Sequence, residues 1–145
     1  MPRYTVLTPV QTPESYYSKN RLSVQAQRKA RRNGTVRGRM NLMLDNARQR
    51  AKKSGWGFDL TLDFLCALWE EQEGLCAITK QPLGLQTQEN RISSSLVSID
   101  RIDSEGGYTQ DNIWLVQGKV NYAKGTQDYE GFVEMCKQVV ENYNA

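Results

Sequence analysis

The sequence predicts an α+β fold: a short β-hairpin followed directly by a helix, packed by flanking α-helices and preceded by a basic helical arm. Three observations predict it. Leu96–Arg101 and Ile113–Val116 are apolar-patterned runs of strand length on either side of a polar loop containing Gly106-Gly107. Apolar residues recur at helical spacing within residues 36–53, 62–73 and 127–144. The charge is divided, with 13 Lys+Arg against two acidic residues (Glu14, Asp45) in residues 1–55, a balance of +11, while residues 56–145 carry −8.

Residues 1–18 hold three prolines and small polar residues, and are expected to form an extended lead-in. Lys19–Arg32 is rich in helix formers, its five charges from Arg21 to Arg32 are all positive, and Asn33-Gly34 stops it. Such a segment is either a solvated surface helix or a phosphate binder. Thr35 caps a second predicted helix, Val36–Lys53, whose Met40, Met43, Leu44, Ala47 and Ala51 form one stripe while Arg37, Arg39, Arg48, Arg50, Lys52 and Lys53 occupy other faces. Trp56–Leu60 reads as a short strand. Thr61 caps a third helix from Leu62 to about Glu73, ended by Gly74, with Leu65, Leu68 and Trp69 inward.

Cys76–Thr79 is a short apolar run before a turn at Gln81–Gly84, and Leu85–Ser95 reads as an exposed polar loop. After the hairpin, Gly118–Lys124 turns helical. In Gln127–Asn144 the apolar positions Phe132, Val133, Cys136, Val139, Val140 and Tyr143 define an amphipathic helix, with Cys136 expected in the core alongside Trp69, Trp114 and Val139. The chain thus divides into a lead-in (1–18), a basic arm (19–55) and a body (56–145).

The composition excludes much chemistry. There is no histidine, which removes Ser-His-Asp and Cys-His arrangements, His-containing zinc sites and the commonest base near neutral pH. Cys66, Cys76 and Cys136 are widely spaced, forming neither a Cys-x-x-Cys pair nor an even-numbered disulfide framework. That usage, with no apolar run of signal-peptide or membrane-span length, leads to the expectation of a cytoplasmic protein with no membrane partner.

Four residues draw notice on chemical grounds: Asp100 at a strand end, Asn112 before the next strand, and Asn121 with Lys124 on one face of the following helix. A carboxylate and an amide oxygen, completed by water and phosphate oxygens, suit Mg²⁺. The same residue types also serve as turn formers and caps.

The stretch SIDRIDSEGGYTQDNIWLVQGKVNYAKG resembles the motif of the HNH, or ββα-metal, nucleases. In that family an Asp-His pair ends the first strand, a glycine-containing loop follows, an Asn opens the second strand, and an Asn or His on the helix precedes a Lys by three residues. Here Asp100-Arg101, Gly106-Gly107, Asn112, Asn121 and Lys124 take those places. The upstream GLCAITKQPLG and RQRAKKSGWGFDLTLDFL are similar to segments of phage-type members, so the likeness covers about residues 42–125.

The resemblance implies a ββα-metal core and a metal-dependent DNA endonuclease of phage or homing type, acting in the cytoplasm of a bacterial host. One Mg²⁺ or Mn²⁺ would be held by Asp100 and Asn121, with Asp100, Arg101, Asn112 and Asn121 forming the catalytic group. Double-stranded DNA would be gripped by Arg28, Lys29, Arg31, Arg32, Arg37, Arg39, Arg48, Lys52, Lys119 and Lys124. Two departures stand out. The family's zinc-binding Cys pairs are replaced by Cys76 with Thr79 and Gln117 with Val120, so no structural zinc is expected. Arg101 stands where the family has its general base, and a guanidinium accepts no proton near neutral pH. Arg101 is then a clamp on the scissile phosphate or a surface residue paired with Asp103 or Glu105. Candidates for activating water are Asp103, Glu105, Tyr108, hydroxide, or a water acidified by the metal. The alternative is a catalytically weak or inactive nucleic-acid-binding protein on the same fold.

Overall fold

A computed structural model of the 145-residue chain describes residues 25–29, 32, 34–85 and 94–143. The lead-in, most of Lys19–Arg32 and most of the Leu85–Ser95 loop lie outside the described residues. Among the described residues, helices and an antiparallel hairpin form a mixed α+β arrangement: α1 (Val36–Ser54), α2 (Leu62–Glu71), β1 (Val97–Arg101), β2 (Ile113–Gln117), α3 (Gly118–Lys124) and α4 (Tyr129–Tyr143). The two-strand hairpin packs against α3, the helix that follows it, giving a ββα-like unit. Residues 25–29 are also helical and exposed. No helix among the described residues is long and apolar enough to cross a membrane.

Local chemistry sets the helix starts. Thr35 and Thr61 take extended backbone conformations, and their hydroxyl oxygens accept from the N–H groups of Gly38 and Phe64. The apolar stripe of α1 is buried as its spacing predicts, with Met40, Met43, Leu44, Ala47 and Ala51 all inside. They join Leu65 of α2 and Val97, Ile99, Ile113, Leu115 and Val116 of the hairpin in one core. Helix α1, read from the sequence as part of the basic arm, is therefore also a wall of the hairpin's core.

Strand β1 pairs with β2 in the register Val97↔Gln117, Ile99↔Leu115 and Arg101↔Ile113. Side chains close both long edges of this ribbon. Alternate carbonyls of a strand point to one side, and those of Val97, Ile99 and Arg101 accept from the side chains of Arg39, Asn121 and Lys124. On the opposite edge the Gln72 amide both donates to the Leu115 carbonyl and accepts from the Leu115 N–H, and the Ala77 N–H shares that carbonyl.

Three expectations are corrected. Trp56–Leu60 is a connector with a single bridge, Phe58↔Tyr108, because the backbone of Gly57 and Asp59 is spent on Tyr108 rather than on a ladder. Helix α2 ends at Glu71, where the side chain of Gln72 is drawn to Leu75 and Leu115 and both Glu73 and Gly74 turn left-handed. Of the amphipathic stripe of α4 only Phe132 is fully buried: Cys136 is exposed, and Val139 is 63% exposed. Helical periodicity here marks an apolar face that nothing among the described residues covers. Trp69 and Trp114 do pack against the core, and Trp114 meets Tyr129 edge to face with centroids 5.2 Å apart.

Candidate functional site

The hairpin and α3 meet along a polar seam. Ser98 and Asp100 share one face of β1, two residues apart, and α3 places Asn121 and Lys124 over them one turn apart. The Asn121 amide nitrogen donates to Ser98 Oγ at 2.7 Å and to the Ile99 carbonyl at 3.3 Å. Its Oδ1 makes no hydrogen bond among the described residues.

Asp100 is nearly sealed, with 4% of its surface exposed, and Lys124 has none. The Lys124 ammonium lies 3.3 Å from each carboxylate oxygen and 3.0 Å from the Arg101 carbonyl. Trp114, the cross-strand partner of Asp100, donates its indole N–H to Oδ2 at 2.7 Å. The carboxylate is thus charge-balanced inside the protein, which is what keeps so buried an anion affordable. Lys124, expected among the phosphate contacts, is turned inward because Asp100 needs a counter-ion.

Arg101 points to the other face. Its guanidinium lies over the Trp56 ring at 3.6 Å from the centroid and donates through one nitrogen to the carbonyls of Ser104 and Gly106. Tyr108 lies beneath it at 5.4 Å and is itself buried. Neither Asp103 nor Glu105 pairs with it among the described residues. The residue in the place of the family's base therefore folds the loop back onto the connector between α1 and α2.

Asn112 organises the same loop. Its Oδ1 accepts from the Asp103 N–H, and its Nδ2 donates to the carbonyls of Asp103 and Gly107. The glycines make room for this: a Cβ on Gly106 would stand 2.6 Å from Asn112 Nδ2, and one on Gly107 would stand 2.4 Å from the Gly57 carbonyl oxygen. Asp103 and Glu105 are exposed on the loop, with the Glu105 N–H donating to Asp103 Oδ1.

Of the positions that the resemblance matches to zinc ligands, Cys76 lies against Thr79 and the Gln117 backbone. Cys76, Gln117 and Val120 are all buried. Burial raises the Cys76 thiol pKa, but hydrogen bonds from Thr79 and from the backbone of Gln117 and Ile78 outweigh it, and the net shift is downward. With one sulfur in the set, the donors do not fit a structural zinc.

The basic residues differ in their freedom. Arg37 pairs with Asp63 at 3.3 Å, and Arg48 pairs with Asp45 at 3.0 Å while lying over Phe58. Arg39 is half-buried on the Val97 carbonyl. Arg28, Lys29, Arg32, Lys52 and Lys119 are exposed, and Arg31 lies outside the described residues. The sequence gives no warning of three participants: Gln72 on the β2 edge, Trp56 under Arg101, and Trp114 on Asp100. An indole at the register position opposite a strand carboxylate is the one signal that could have found the last. Among the described residues no three His, Cys, Asp or Glu side chains cluster as a metal site. Comparison with models of known protein families gives no match, and comparison with curated proteins gives none either.

Proposed function

We propose that the chain is a divalent-metal-dependent DNA endonuclease of the HNH type, with a ββα-metal core. One observation carries the reading: Asp100, Asn121 and Lys124, spaced as in the family motif, line one hairpin–helix seam, Lys124 on Asp100 and Asn121 on the neighbouring Ser98 and Ile99, beside a loop tied by Asn112. Asp100 and Asn121 would hold one Mg²⁺ or Mn²⁺. The donor chemistry fits, since a carboxylate, an amide oxygen with no hydrogen bond among the described residues, water and a phosphate oxygen form the sparse oxygen set these ions accept. The seam already stabilises a cation, the Lys124 ammonium, against Asp100, and that ammonium must give up at least one carboxylate oxygen.

When bound, the ion would supply Lewis-acid stabilisation of charge at phosphorus and a water of lowered pKa. The protein's own residues do the positioning. Asn112 and Arg101 hold the loop rigid, while the exposed carboxylates Asp103 and Glu105 are the groups on it able to accept a proton. Tyr108, beneath the Arg101 guanidinium, is removed from that role.

The test is nicking of supercoiled plasmid by the full chain in Mg²⁺ or Mn²⁺, with EDTA and the near-isosteric Asp100→Asn as controls. Metal-dependent nicking that disappears in both controls is expected. Undiminished cleavage by a folded Asp100→Asn protein would overturn the assignment. A second reading, a DNA-binding protein on this fold without catalysis, is favoured by the full engagement of Asp100 by Lys124 and Trp114. It requires salt-sensitive DNA binding together with cleavage no faster than buffer in Mn²⁺.

A further inference from the structure

We propose that the groove between α1 and the outer edge of β1 is a binding site for a phosphate group. It encloses about 100 Å³, its polar lining includes Arg39, Asn46, Arg50 and Ser98, and Met43 and Ala47 form part of its floor. The α1 members fall at i, i+4, i+7, i+8 and i+11, one face of the helix, so Arg39 and Arg50 sit at its two ends, about 16 Å apart along the axis.

Arg39 shows what the groove lacks. One terminal nitrogen donates to the Val97 carbonyl at 3.1 Å, while Nε is buried with no hydrogen-bond partner among the described residues. A buried donor left unmade is costly, and a turn of the guanidinium toward the groove would let an anion supply the missing acceptor. Burial also lowers the Arg39 pKa from the usual arginine value, because the charged form has lost solvent without gaining an anion. No acidic residue is among the groove's described lining, and neither Arg39 nor Arg50 has a carboxylate partner among the described residues. Arg37 and Arg48 on the same helix are both paired with aspartates. The helix thus sorts its arginines, neutralising two and leaving two directed at a shared polar groove.

Ser98 completes the arrangement. Its Oγ accepts from Asn121, and the hydroxyl proton has no acceptor among the described residues, so it is available to a ligand in the groove that Ser98 helps to line. A phosphate held there would lie one side chain away from Asn121. The source of the phosphate rests on the reading given under Proposed function, in which it belongs to a phosphodiester backbone; the site itself requires only a phosphate group.

The experiment uses the full ¹⁵N-labelled chain. The arginine Nε–H resonances are followed during titration with inorganic phosphate, and duplex DNA affinity is measured by anisotropy across a salt series. Arg50→Gln is the informative variant, because Arg50 is exposed and holds no structural contact among the described residues, whereas Arg39→Gln also uncaps the Val97 carbonyl. A saturable shift of the Arg39 Nε–H signal, weakened in Arg50→Gln, is expected. A slope of log affinity against log salt that falls by about 1 in the variant identifies the phosphodiester backbone as the source. A phosphate shift with an unchanged slope supports the site with free phosphate as its source. No shift in Arg39 and an unchanged slope overturn the proposal. Plasmid nicking by the same preparations is scored separately, so loss of the nuclease reading and loss of this site give different results.

Discussion

Lys124 places its ammonium 3.3 Å from both carboxylate oxygens of Asp100, in a seam where the lysine has no exposed surface. Removing one partner of such a pair strands the other charge. Lys124→Met is expected to destabilise the fold by about 3–5 kcal/mol, and pairing it with Asp100→Asn should recover much of that loss. Urea unfolding of the two single variants and the double variant measures the coupling; additive losses would show that the pair does not act as a unit.

Arg101 fixes the loop by shape as well as charge. A lysine cannot reproduce a planar guanidinium over Trp56 that also reaches the Ser104 and Gly106 carbonyls. Arg101→Lys should cost about 1–3 kcal/mol, visible as a lower thermal midpoint. An unchanged midpoint would place the loop's anchor elsewhere.

Asn112 makes three hydrogen bonds with one amide. Asn112→Asp keeps the acceptor facing the Asp103 N–H but sets carboxylate oxygen against two carbonyls. It should cost more than Asn112→Ala, which only removes partners. Hydrogen exchange at the Asp103 and Tyr108 N–H groups, bonded to Asn112 Oδ1 and the Gly57 carbonyl, reports whether the loop has opened.

Gly107 and Gly118 form a matched test of space. A Cβ at Gly107 would run into the Gly57 backbone, whereas at Gly118 the nearest atom stands at 3.5 Å. Gly107→Ala should destabilise by about 1–3 kcal/mol. Gly118→Ala should stabilise by about 0.4–1 kcal/mol by restricting the unfolded chain. Equal effects in calorimetry would contradict the close approach of loop and connector.

Local rules explain which parts of this structure are legible in the sequence. Thr35 and Thr61 start their helices because capping is decided within three residues, and the α1 stripe is buried because its period is unambiguous. The hairpin, its register region and the helix behind it follow from strand-length runs around a glycine loop. The bonds that define the seam span 22 to 24 residues in the chain, and pattern alone could not say whether Asp100 meets Asn121 or Lys124. Arg101 illustrates the same limit. Its charge suggested a phosphate or a nearby carboxylate, but its partners are an indole 45 residues earlier and two carbonyls, neither of which carries a sequence signature. Cys136 fails differently, since periodicity identifies an apolar face and is silent on whether anything covers it.

The capped edges of the hairpin have a consequence for how the molecule can be recognised. A bare ribbon of two strands invites a third strand, from another copy or from an extended peptide. Here Arg39, Asn121 and Lys124 hold the carbonyls on one side and Gln72 holds Leu115 on the other, so these backbone groups are already spoken for. Recognition by β-augmentation is closed off along those positions, and a partner must read side chains instead.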